Sequence, residues 1–127
     1  MRVTWHELVA VLVGGAVGTG LRFAVDALVP HPYSTLAVNV VGAFILGMLV
    51  ARLWQSSPAW LKAGMGAGLL GSFTTFSALA VILVELTTAG QTWQAALYLV
   101  ATVVLGLAAA FAGLHLGRPR RIDLVNE

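Results

Sequence analysis

Four apolar stretches follow one another in this chain, at about residues 8–29, 34–53, 59–84 and 92–116, with only short polar connections between them. Each reaches the roughly 20 mostly apolar residues that a helix needs to cross a bilayer. Inside hydrocarbon every backbone N–H and C=O must find a protein partner, and a helix supplies those partners within one segment. The expected fold class is an all-α integral membrane protein with four transmembrane helices. Composition closes off the soluble alternative. With 59% of 127 residues hydrophobic and 9% charged, a water-soluble domain of this size has no interior able to hide its apolar surface. The whole chain, 1–127, reads as a single transmembrane domain.

The connections carry the expected punctuation. Pro30-His31-Pro32 closes the first span, Gln55-Ser56-Ser57-Pro58 separates the second from the third, and Thr87-Thr88-Ala89-Gly90-Gln91 precedes the fourth. Trp5, Tyr33, Trp54, Trp60 and Trp93 fall at span ends, where amphipathic rings anchor at the headgroup level. An even number of spans returns both termini to one side. The first span is too long and too glycine-rich for a cleaved signal peptide and reads as a retained helix. Without cysteine there is no disulfide or thiolate chemistry. No nucleophile–base set, phosphate loop or dinucleotide fingerprint is present, so an enzyme has no support. No basic run with interleaved aromatics suggests a nucleic-acid partner. Four short helices enclose too little volume for a core and a conduction path together. The small residues on every span suit close helix contact, and an oligomer is expected.

The third stretch contains the most informative segment, GAGLLGSFTTFS at 66–77. Gly66, Gly68 and Gly71 precede Ser72, Thr74, Thr75 and Ser77, which surround two phenylalanines. Glycine weakens a helix interior by roughly 1 kcal/mol, and hydroxyl side chains compete for backbone hydrogen bonds. A break is therefore expected at 71–75. Non-helical backbone at membrane depth survives only where it is buried in protein or lines a wet cavity, so an ion or small polar solute is handled here. Freed carbonyl oxygens suit a hard cation. No carboxylate lies within the span as read from sequence, which favours a singly charged ion.

Polar positions in the other spans form stripes. Gly14, Gly18 and Arg22 recur every four residues on one helix face, and Asp26 continues it. Arg22 is either a snorkelling side chain paired with Asp26 or the centre of an electropositive vestibule. Asn39 stands alone among apolar neighbours; it either makes an interhelical hydrogen bond or donates its amide to a passing anion. Tyr98, Thr102 and Gly106 lie four apart, a spacing for packing or for handing an anion between hydroxyls. Phe73 and Phe76 are core aromatics by default. Alternatively, a positive ring edge holds an anion without trapping it.

With these residues assembled, the chain resembles the Fluc (CrcB) family of fluoride channels. The likeness covers the whole length: four short spans, GGAVGTGLRF at 14–23, the lone Asn39, and GLLGSFTTFS at 68–77. The resemblance implies an antiparallel dimer with two fluoride paths along its interface, and passive export that lowers cytoplasmic fluoride. It also implies a structural sodium ion, required but not transported, held by the backbone carbonyls of Gly71 and Thr74. Carried over, Asn39 is the pore amide, Phe76 the first pore phenylalanine, and Ser77, Tyr98 and Thr102 belong to the polar lining. Three positions depart from the family pattern. Leu79 replaces the second pore phenylalanine, Ser72 the second glycine of the break, and Gly106 a third hydroxyl of the track. Leu79 and Gly106 keep open a non-conducting partner subunit of a heterodimeric channel. A small four-helix multidrug-type transporter is a further alternative; it needs an embedded carboxylate, and only Asp26 and Glu85 are candidates.

Charge placement bears on orientation. Arg2, Arg52, Lys62, Arg118, Arg120 and Arg121 share the membrane face of the termini, and only Arg22 approaches the other. That bias puts both termini in the cytoplasm of a multi-pass cell-membrane protein. A chain fixed in one orientation needs a homologous partner of reverse bias, which favours a heterodimer over a homodimer.

Overall fold

The computed structural model describes residues 3–118. Four helices are long and apolar enough to cross a membrane, and no strand occurs among the described residues. The first span is α1 (Trp5–Leu28) and the second α2 (Tyr33–Arg52). The third, Ala59–Thr88, is bent and composite. It comprises α3 (Ala59–Lys62), a π-helical segment (Ala63–Leu70), α4 (Gly71–Phe73) and α5 (Phe76–Thr88). The fourth is α6 (Thr92–Gly117).

Local chemistry sets the ends and moves some of them from their expected places. Helix α1 starts at Trp5, not at residue 8, because Thr4 and Glu7 form a capping box. The Glu7 N–H donates to Thr4 Oγ1 at 3.3 Å and the Thr4 N–H to Glu7 Oε2 at 2.7 Å. The third span runs on to Thr88, past residue 84. The Thr87 and Thr88 hydroxyls donate to the carbonyls of Leu83 and Val84 and so satisfy themselves within the helix. Gly90, at φ +76°, then ends it: Gly90 N–H reaches the Thr87 carbonyl and Gln91 N–H that of Leu86.

Two packed pairs make up most of the bundle. Helix α1 lies along the π-helical segment and α4, while α2 lies along α6. Lipid offers no hydrophobic drive between helices, so contact depends on small residues that let backbones approach. A Cβ on Gly14 or Gly18 would run into the main chain of Gly64 or Leu69. On the other pair, a Cβ on Gly47 would meet the Ala110 carbonyl and one on Gly113 the Phe44 carbonyl. The stripe leading to Arg22 is thus a packing seam for its first two members. Gly113→Val is expected to force α2 and α6 apart at a cost of about 1–3 kcal/mol. The loss should register as a lower melting midpoint and poorer monodispersity in detergent.

The interior is small. Val38, Leu70, Phe73, Leu79 and Ile82 are buried, with Ser34, Thr35 and Thr102 among them. Most other large apolar side chains, including Leu12, Phe23 and Phe111, face outward, as a lipid solvent allows.

Candidate functional site

Thr74 and Thr75 interrupt the third span with extended backbone, φ/ψ −80/158° and −147/122°. The π-helical turn before them brings the Gly71 N–H to the Gly66 carbonyl five residues back. Thr74 closes the first half, donating both its N–H and its hydroxyl to the Leu70 carbonyl, at 3.0 and 2.9 Å. Its methyl occupies the space that a side chain at Gly42 would fill.

Asn39 holds the break from the neighbouring helix. Thr75 N–H donates to Asn39 Oδ1 at 2.8 Å, and Asn39 Nδ2 donates to the Thr75 carbonyl at 2.9 Å. In an uninterrupted helix that Thr75 N–H would bond the Gly71 carbonyl. Similarly, the Ala78 N–H, which would bond Thr74, donates instead to Thr75 Oγ1 at 3.2 Å, so Thr75 caps α5. The carbonyls of Gly71 and Thr74 therefore both lose their helical donors. Gly71 is exposed on the protomer and Thr74 half-buried.

Two open clefts border the break. One, about 460 Å³, runs from the α1–α2 turn and is lined by Arg22, Asp26, His31, Thr35, Thr75 and Ser77. The other, about 480 Å³, is lined by Asn39, Gly42, Trp54, Gly66, Gly71 and Thr74. Arg22 and Asp26 share the first cleft without forming an ion pair; among the described residues the one acid–base side-chain contact is His31 Nε2 to Glu85 Oε2, 3.5 Å.

The remaining expected residues divide. Phe76 is 82% exposed, beside an exposed Ser77 whose hydroxyl lies 3.2 Å from that of Thr75. Leu79, three residues on, is only 6% exposed and belongs to the protomer's own core. The Tyr98 hydroxyl donates to the Pro32 carbonyl at 2.8 Å, and Thr102 Oγ1 to the Tyr98 carbonyl at 2.8 Å. Gly106 has open space where a side chain would stand. In the sequence Thr75 stands undistinguished among its hydroxyl neighbours. Its signal is the N-cap pattern of a threonine immediately before an apolar helical run.

A family model described as "CrcB-like protein, Camphor Resistance (CrcB)" matches residues 9–114, from inside α1 to near the end of α6. The chain belongs to the CrcB family. Similar proteins carry the name fluoride-specific ion channel FluC. That of Xanthomonas axonopodis pv. citri is 36% identical over 124 residues, covering 91% of this chain and 93% of that protein. That of Idiomarina loihiensis is 39% identical over 113 residues, 84% of this chain and 88% of that protein. That of Agrobacterium fabrum is 39% identical over 121 residues, 88% and 96% respectively. The CrcB match takes in all four spans and the break, and its relatives' names are those of channels, not enzymes. The chain is a multi-pass membrane protein.

Proposed function

We propose that this CrcB chain is a subunit of a fluoride channel, letting the anion run passively out of the cell as one half of an antiparallel pair. One observation carries the reading: the break leaves the Gly71 and Thr74 carbonyls without helical donors, next to a phenylalanine that is 82% exposed. An unpaired carbonyl in hydrocarbon costs several kcal/mol. A second subunit over this face, with a cation between, satisfies both carbonyls and covers Phe76.

The donor set fits sodium. It consists of backbone oxygens, with no carboxylate between Ala59 and Val84 to favour a divalent ion. Gly71 and Thr74 would hold the ion, whose fixed positive charge stabilises the join. Fluoride is strongly hydrated, and replacement donors stand along the clefts. Arg22 supplies positive charge at the approach. Asn39 keeps a second amide N–H beyond the one given to Thr75. Ser77 offers its hydroxyl, and Phe76 its ring edge. Tyr98 and Thr102 join this lining only when their protons swing off the carbonyls they now serve.

Among the described residues, Arg52, Lys62 and Arg118 lie at the terminal end of the bundle, against Arg22 alone toward the other. Arg2, Arg120 and Arg121 share that expected bias and fall outside the described residues. The bias favours cytoplasmic termini and, with one fixed orientation, a homologous partner of opposite bias. The burial of Leu79 supports the same view, since α5 carries no aromatic besides Phe76 and a partner would supply a second one. It equally favours the reading of this chain as the non-conducting member of such a pair.

The test is fluoride efflux from liposomes holding this chain alone and then with a reverse-biased homologue, together with labelling of the C-terminus in intact cells. The lone chain is expected to conduct weakly and to label from the cytoplasm only. Robust efflux with labelling from both sides would replace the heterodimer by a dual-topology homodimer. No fluoride efflux in any combination would end the channel reading.

A further inference from the structure

We propose that the Asn39 side-chain amide and the Thr75 hydroxyl are positioning groups for the cation site, holding the Gly71 and Thr74 carbonyls open to a monovalent cation. The inference deepens the sodium reading above and rests on it. A helix left to itself closes such a gap, because each carbonyl finds the N–H four residues on. Here both of those donors are taken by side chains. Asn39 Oδ1 removes the Thr75 N–H from Gly71, at 2.8 Å. Thr75 Oγ1 removes the Ala78 N–H from Thr74, at 3.2 Å.

The two locks are linked through one residue. Thr75 is held at its backbone by both polar ends of Asn39, at 2.8 and 2.9 Å, and its side chain in turn holds the start of α5. Asn39 comes from α2, so the site depends on the seating of one helix against another. Gly42, one turn further along α2, leaves the room into which the Thr74 methyl fits. The cation would then meet oxygens already turned away from their helix. Groups that orient metal ligands in this way, without touching the ion, commonly change affinity by about 10- to 100-fold when removed.

The experiment measures the apparent melting midpoint of the purified full chain, assembled with its partner if it needs one, against sodium chloride, with N-methylglucamine chloride keeping ionic strength constant. An ion bound only by the folded form raises the midpoint with concentration, and the half-maximal sodium concentration is the readout. Asn39→Ala and Thr75→Val are each expected to raise it by about tenfold or more, and Thr75→Ser to leave it near the parent value. If the two variants melt lower by the same amount at every sodium concentration, with an unmoved sodium curve, the side chains are merely structural and the proposal falls. Should Asn39→Ala fail to fold, the contrast between Thr75→Val and Thr75→Ser decides alone. A parent protein with no sodium response would overturn the sodium reading, and this proposal with it. A parent that responds, with variants that respond identically, overturns this proposal only.

Discussion

Replacing Phe76 by isoleucine is expected to cut fluoride flux by about tenfold or more, equivalent to roughly 1.4 kcal/mol on the barrier, while the protomer folds as before. The side chain is 82% exposed on the isolated subunit, so little of the protomer's packing depends on it. An exchange at a position exposed on the protomer changes the protomer's own stability by about 0.5 kcal/mol or less. What isoleucine lacks is the ring's positive edge, which attracts an anion without the full charge that would hold it fast. Phe73 is the control. It is 8% exposed and packed in the core, so Phe73→Ile should lower the melting midpoint yet leave flux per folded channel close to the parent's. Efflux from liposomes, normalised to incorporated protein, separates the two. If Phe76→Ile conducts normally, its ring is packing against lipid or partner and no more.

The contrast between Phe73 and Phe76 also marks how far the sequence could be read. Both sit in one apolar span, and periodicity alone does not say which faces out. The spans were legible because lipid imposes one requirement, a long apolar helix, that few residues can disguise. The break was legible too, since glycines beside hydroxyls weaken a helix wherever they stand. Its finer structure was not. The π-helical turn arises where Gly64 and Gly68 let α1 approach, with Gly64 against Ala10 and Gly68 against Val11, a tertiary effect that no local pattern encodes. Leu79 takes its place on the path from the motif it interrupts, whereas its burial in the protomer depends on how α5 seats against its neighbours. Tyr98 and Thr102 had the spacing of a hydroxyl track, but where their protons point depends on the carbonyls of Pro32 and Tyr98.

Asn39 shows the same limit most clearly, and it is the position where one substitution is expected to stop conduction. Sequence left two readings, an interhelical bond or a donor to the anion. The geometry has room for both, because one amide N–H serves the Thr75 carbonyl and a second remains. Asn39→Asp separates them. A carboxylate still accepts the Thr75 N–H, so the break keeps one of its two ties and assembly should persist. It cannot donate, however, and its charge would stand beside the path of an anion. Two like charges about 4 Å apart repel by about 4 kcal/mol at an effective dielectric near 20, and that corresponds to about a thousandfold in rate. Flux should drop below detection while the protein keeps the parent's size-exclusion elution volume and needs no more sodium than the parent for its stability. Asn39→Ala should behave oppositely, weakening the sodium response without adding charge to the path. An Asp variant that conducts within a few-fold of the parent would remove Asn39 from the anion's route and leave it only the backbone bonds to Thr75.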